Sequence, residues 1–318
     1  MELYNVEVSW MKCTCTSKER IEHRPIHAND KTRQHPCFSV EAHRKYGRIH
    51  LPVAPACNIS CNYCSRKFDC NNESRPGVCS QVLSPQAAFD QYIEIRSRYD
   101  NLRVVGIAGP GDALANWEAT RKTIMLIKES VPDAIFCLST NGLLLPDLVD
   151  EILDLGVEHI TVTVNCLDPA VGATIYQHVR YKGRQYQGRK GASLLIENQL
   201  QGIQYLARRG AVIKVNTVMI PGINDQEISG IVKEVSARGA FISNIMPLIP
   251  ASGSVFENLP EPDKRELKQI RQECQGDLQQ MFHCRQCRAD AMGMLGQDLP
   301  PGLMEEKNPP GQMEKKAV

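Results

Sequence analysis

Cys57-Asn58-Ile59-Ser60-Cys61-Asn62-Tyr63-Cys64 sets three thiols close together, immediately after a β-rich run at residues 48–53. Soft thiolates on a loop that leaves a strand can ligate three corners of an iron–sulfur cubane, because Cys is the usual ligand of such clusters. The fourth iron is then open to a small molecule. A zinc knuckle is the competing reading, but zinc sites complete four ligands with a second, similar Cys pair nearby.

Working outward from this loop, further β-rich runs occur at 103–108, 134–139, 159–165, 212–219 and 241–246. Helical patterns fall between and after them. The first opens on Ser84 as N-cap with Pro85 in its first turn; the others cover 117–129, 146–155, 193–209 before Gly210, 225–238 and 263–273. Regular strand–helix alternation with short connections predicts an α/β fold, a (β/α) barrel of the TIM type, incomplete or elaborated. Rossmann-type winding is the alternative. The expected organisation is an N-terminal segment 1–46, a barrel core 47–250, a C-terminal extension 251–296, and a disordered tail 297–318 rich in Pro, Gly and charge with no periodicity.

The run also completes C-x3-C-x-aromatic-C through Tyr63, and so resembles the radical S-adenosylmethionine (SAM) superfamily. That resemblance implies a [4Fe-4S] cluster whose open iron chelates SAM and passes it one electron, yielding a 5′-deoxyadenosyl radical. Barrel active sites gather at the C-terminal ends of the strands. Gly106-Ile-Ala-Gly109-Pro-Gly111-Asp112 ends the second strand and resembles the superfamily's glycine-rich element for the SAM amino group. Thr140 and Asn141 follow strand three, Thr163 and Asn165 close strand four, Val215 and Asn216 lie in strand five, and Ile223 follows it. These are candidate contacts for the SAM carboxylate, ribose and adenine, although strand-end polar residues also satisfy backbone groups.

Thirteen cysteines are too many for inert packing in a chain that carries no leader-like start and no apolar stretch of membrane-spanning length. A cytoplasmic location and metal ligation are the expectation. A net charge of +1 gives no long-range field of the kind that gathers nucleic acid, so neither nucleic acid nor membrane is an expected partner. Cys284-x2-Cys287, with Cys13 or Cys15 from the other terminus, forms one candidate auxiliary cluster site; a redox dithiol is the alternative. Cys37, Cys70 and Cys137 with His35 or His43 form another. Glu73 and Arg75, on the loop after Cys70, are candidates to handle protons or orient substrate. The basic stretch Arg180-Tyr-Lys-Gly-Arg-Gln-Tyr-Gln-Gly-Arg-Lys190 reads as a solvated loop or as a screen for an anion.

A longer set of motifs resembles the NifB family of nitrogenase iron–molybdenum cofactor biosynthesis proteins. It runs from His35-Pro-Cys37 and Ala42-His43 through the Cys57–Cys64 loop to Cys70 and Gly77, then GIAGPGDALAN at 106–116, CLSTNGL at 137–143, KVNTVMIPGIND at 214–225 and HCRQCRADAMG at 283–293. The resemblance implies fusion of two [4Fe-4S] substrate clusters with a SAM-derived carbide and one added sulfur, giving an [8Fe-9S-C] precursor. It implies two uses of SAM, methyl transfer and hydrogen abstraction. Cys57, Cys61 and Cys64 would hold the SAM cluster, and the two auxiliary sets the substrate clusters. Cluster donors and cofactor carrier or scaffold proteins are the implied partners. Many family members continue into a NifX-like domain, so the chain resembles the short form.

Overall fold

The structure, a computed structural model, describes residues 30–65 and 75–299. Among them the strands are β1 (Gly47–His50), β2 (Ile59–Cys61), β3 (Leu102–Ile107), β4 (Ile135–Thr140), β5 (His159–Thr163), β6 (Tyr176–Tyr181), β7 (Arg184–Tyr186), β8 (Val212–Met219), β9 (Ile242–Pro247), β10 (Met292–Met294) and β11 (Gln297–Asp298). The helices are α1 (Asp30–Arg33), α2 (Pro85–Arg98), α3 (Trp117–Ser130), α4 (Leu145–Asp154), α5 (Pro169–Ile175), α6 (Gly188–Arg208), α7 (Ile228–Ala237) and α8 (Lys264–Cys274). None of the described helices is long and apolar enough to cross a membrane.

One sheet runs in the order β11-β10-β1-β3-β4-β5-β8-β9, with every pair from β1 to β9 parallel and β10 and β11 added antiparallel. Each parallel crossover moves one strand further in the same direction. No reversal point exists, which excludes the Rossmann alternative and gives a barrel winding. Among the described strands β9 and β11 do not pair with each other, so the barrel is open, a curled half-barrel. All six β-rich runs read from the sequence are present, with ends shifted by a few residues.

Alternation along the strands decides what faces where. On β8, Ile213, Val215 and Met219 join the main core under the helices, together with Val105 and Ile107 of β3 and Phe136 and Leu138 of β4. The opposite phase turns inward. At the N-terminal end of the strands Val104, Ile135, Cys137, Val212 and Ile242 pack with Phe38 and Met281 and plug the half-barrel. Further along, the same phase carries the site.

The helices close the outer face for local reasons. Ser84 caps α2 by accepting from Ala87 N at 3.2 Å, Pro85 fits the first turn, and Ala88, Tyr92 and Ile95 recur at helical spacing on the buried face. Asp263 caps α8 in the same way, accepting from Arg265 N at 2.6 Å.

Two regions differ from the sequence reading. Residues 180–190 are not an open loop: β6 and β7 form a hairpin, turned at Lys182 (φ 48°) and Gly183 (φ 74°), and β6 pairs with β2. Two successive left-handed residues make the tight turn whose twist matches paired strands. Gln297 and Asp298, expected in the tail, form β11 against β10, because Gly296 (φ 80°) lets the chain reverse after Met294.

Candidate functional site

A cavity of about 290 Å³ opens where the parallel strands end, between the Cys57–Cys64 loop and the C-terminal extension. Its floor and walls come from the inward phase of five neighbouring strands, including Gly106, Cys137, Ser139, Thr161, Thr163, Lys214, Asn216 and Asn244. The three cysteines of the loop line its mouth.

The loop is braced from three sides. Ile59 and Cys61 pair with Val179 and Tyr176 of β6, and Asn62 N donates to Ile175 O at 2.8 Å. Gly111 N donates to Ala54 O at 2.6 Å and Asp112 N to Ala56 O at 2.8 Å, which fixes the approach to Cys57. A Cβ on Gly111 would lie 2.1 Å from Ala56 O, so only glycine permits this contact. Asn141 Nδ2 donates to Asn58 Oδ1 at 2.6 Å and lies 3.7 Å from Cys57 Sγ. Asn165 Nδ2 donates to Tyr63 Oη at 2.9 Å, and burial raises the Tyr63 pKa well above the usual phenol value.

Several residues expected to touch SAM are therefore occupied in holding the loop. Asp112 is buried, and its carboxylate accepts from Leu114 N, Ala115 N, Thr140 Oγ1 and Asn141 N. Burial raises its pKa, and those hydrogen bonds oppose the rise. Asn165 Oδ1 accepts from Val218 N at 2.9 Å. Gly111, Asp112, Thr140, Asn141, Thr163 and Asn216 line the cavity; Gly109, Asn165, Val215 and Ile223 are not among its lining residues. Val215 is out of phase with Lys214 and Asn216 and faces the helices, while Ile223 packs against the cluster of Leu195 and Ile220, against which Cys57, Cys61 and Tyr63 also pack.

The same cavity gathers Cys37, Cys137, Cys284 and Cys287 from distant parts of the chain. Burial pushes the Cys137 thiol up to about 12 and that of Cys287 to about 11, the latter against the pull of Arg48. Arg48 Nη2 donates to Cys287 Sγ at 3.1 Å and pairs with Asp298 at 2.5 Å, while its Nη1 donates to Gly293 O at 2.8 Å. Asn244 Nδ2 donates to Cys284 Sγ at 3.3 Å. His35 also lines the cavity; its Nδ1 accepts from Cys37 N at 3.1 Å, its buried Nε2 has no partner, and burial holds its pKa well below the usual imidazole value. His43 lies off the lining, stacked at 5.0 Å on His283, with its Nδ1 unpartnered. Arg75 lines the mouth; Cys13, Cys15, Cys70 and Glu73 lie outside the described residues.

This donor set fits iron–sulfur clusters better than a single ion. Among the described residues no three His, Cys, Asp or Glu side chains converge on one point, as one metal ion requires. A cubane presents a separate iron to each ligand and takes donors spread around it. Soft thiols and the orphaned imidazole nitrogen of His35 suit such an occupant. The described cysteines form no disulfide with one another.

Lys214 and Arg48 were not singled out in the sequence, although a signal existed: a cation inside an apolar strand run, as in Val212-Ile-Lys214-Val, is unusual unless it faces a polar site.

The chain matches the Radical SAM superfamily over residues 51–235. It is 52% identical over 273 residues to the FeMo cofactor biosynthesis protein NifB of Klebsiella pneumoniae, covering 85% of this chain and 58% of that protein. To the protein of the same description from Bradyrhizobium diazoefficiens it is 47% identical over 291 residues, covering 90% and 58%. The chain thus spans less than two thirds of the length of these curated relatives. Among solved structures it is similar in fold to Streptococcus suis SuiB, bound to SAM (TM-score 0.51, 15% identity, 71% of this chain and 46% of that one) and bound to the precursor peptide SuiA (TM-score 0.53, 15% identity, 76% and 50%).

Proposed function

Because the chain belongs to the Radical SAM superfamily, we propose that it is a maturase that builds an [8Fe-9S-C] precursor of the nitrogenase cofactor by joining two [4Fe-4S] substrate clusters. The carbide would derive from SAM, and one further sulfur is added. The observation that carries this reading is the shared cavity: the Cys57–Cys64 loop and the four thiols of Cys37, Cys137, Cys284 and Cys287 open into one space. A radical SAM enzyme that uses auxiliary clusters to modify a peptide or small molecule would need further thiols, but it does not require the Cys37 and Cys137 set. The identity to NifB proteins, spread over most of the chain, supports the same reading.

In this proposal Cys57, Cys61 and Cys64 hold the resident [4Fe-4S] cluster, which when bound with SAM supplies methyl-transfer and radical chemistry. The chain's own residues then fix geometry. Asn141 and Asn58 hold the position of Cys57, and Asn165 that of Tyr63, so that the mouth is rigid on the scale a reacting pair requires. Cys37 and Cys137, with Cys70 and His35 or His43, bind one substrate cluster. Cys284 and Cys287, with Cys13 or Cys15, bind the other. Arg48 orients Cys287 and favours its thiolate. Glu73 would handle protons or orient the substrate, and Arg75, a permanent cation that lines the mouth, would orient it. Cluster donors and a product carrier are the implied partners, and the cytoplasm the implied setting.

The test is anaerobic. Protein reconstituted with iron and sulfide is reduced and given SAM, and 5′-deoxyadenosine, S-adenosylhomocysteine and activation of cofactor-free nitrogenase are measured. All three are expected. Absence of 5′-deoxyadenosine would sink the radical SAM assignment of the site, whereas 5′-deoxyadenosine without nitrogenase activation would favour a peptide or small-molecule substrate.

A further inference from the structure

Lys214 is 7% exposed and stands on the inward phase of β8, which otherwise presents Val212, Asn216 and Val218. Among the described residues no carboxylate pairs with it and it donates no hydrogen bond; its recorded neighbour is the Phe38 ring, 5.5 Å from the ammonium. The contrast with Arg48 is direct. Arg48 is as deeply buried, but its guanidinium is met by Asp298, Gly293 O and Cys287 Sγ. A buried cation without a counter-charge is strongly disfavoured, so chains seldom keep one unless something anionic comes to it.

The surroundings identify that anion. The thiols of Cys37, Cys137, Cys284 and Cys287 all line the cavity with Lys214, and as iron ligands they would be thiolates, whose charge favours the ammonium. Phe38, under the ammonium, directly follows Cys37 in the chain. Lys214 is register-paired with Thr161 on β5, one strand from the β4 that carries Cys137. The ammonium is thus common to two thiol pairs that come from opposite ends of the chain.

We propose that Lys214 is an anion-binding group that holds iron–sulfur substrate between the Cys37/Cys137 pair and the Cys284/Cys287 pair. This rests on the reading of the cavity as a substrate-cluster pocket. Thiolate-ligated iron–sulfur clusters carry net negative charge, and two of them brought together repel. One fixed ammonium between them offsets that repulsion where it is largest. Lys214 acts by position and charge, and no proton transfer is assigned to it.

The test uses the full chain carrying Cys57→Ala, Cys61→Ala and Cys64→Ala, so that iron kept after reconstitution and desalting reports the second thiol set alone. In that background Lys214→Met is expected to keep about three-fold less iron, and Lys214→Arg to keep most of it, since Met removes the charge at similar volume. Without iron, Lys214→Met is expected to melt about 2–4 °C higher, because an unanswered buried charge has been replaced by an apolar group. A purely structural lysine predicts the reverse. The inference is overturned if Lys214→Met keeps the parent's iron, if its iron-free form melts lower, or if Lys214→Arg is as poor as Lys214→Met. Loss of iron already in the parent would overturn the substrate-pocket reading and this inference with it.

Discussion

Gly111 and Asp112 are adjacent, and they act on the Cys57 loop by different physics. Gly111 lets two backbones touch. Gly111→Ala forces Ala56 away, and the expected outcome is a folded protein, by circular dichroism, that retains little iron at the Cys57–Cys64 site. Asp112 acts as an acceptor hub for four donors. Asp112→Ala orphans them in a buried place, so denaturant unfolding should show a loss on the order of 3 kcal/mol. At this scale the sequence identified which residues matter near the loop without saying what they do. Asp112, Asn141 and Asn165 read as ligand contacts because polar residues at strand ends point that way. Their side chains are committed to backbone groups and to the loop, Asn141 to Asn58 and Asn165 to Tyr63, because parallel strands bring chain-distant ends together, a proximity that spacing along the chain does not encode.

The element scale shows the same limit from the other side. The β6–β7 hairpin read as a solvated basic stretch because short, polar, charged strands have no apolar alternation to reveal them. It is the support of β2, and through β2 of Cys61. Its turn needs a positive φ at Gly183, where a side chain would meet open space, so Gly183→Val introduces backbone strain without a clash. A cost of about 1–2 kcal/mol is expected for that conformation in an L-residue. Hydrogen exchange at Ile59–Cys61 should speed up in Gly183→Val, and exchange in β4 and β5 should not; equal rates at Ile59–Cys61 would show that the hairpin does not brace the loop. The six parallel strands were legible because each is a β-rich run long enough to stand out between helical patterns.

For the whole molecule, imidazoles held neutral inside the half-barrel, His35, His50 and His159 among them, shape its response to acid. Burial, with a contribution from Arg48, lowers the His50 pKa to about 4, and burial lowers that of His159 to about 4, Lys31 adding to it and Glu158 opposing it. The unfolded chain takes up these protons near 6.5, before the folded protein does. Their contribution is therefore complete above about pH 6.5 and is lost as pH falls to about 4. Denaturant unfolding of the iron-free protein should lose stability on the order of 5 kcal/mol across that window. His159→Gln, which keeps a partner for Thr32 Oγ1, should flatten the slope.

The sequence by itself determined the ligand types of the Cys57–Cys64 loop and the strand–helix alternation that favours a barrel. Ligand type and spacing are local, and so is the alternation of β-rich and helical runs, because both follow from bonds and torsions within a few residues. Only the tertiary structure decided that six parallel strands stay an open half-barrel, that a basic stretch becomes the brace of the cluster loop, and that Cys37, Cys137, Cys284 and Cys287 line one cavity with Lys214. Those facts depend on which inward-facing side chains from separate strands share one end of one sheet. Such sharing is fixed by strand register and by the burial of a common core, quantities that belong to the folded chain as a whole.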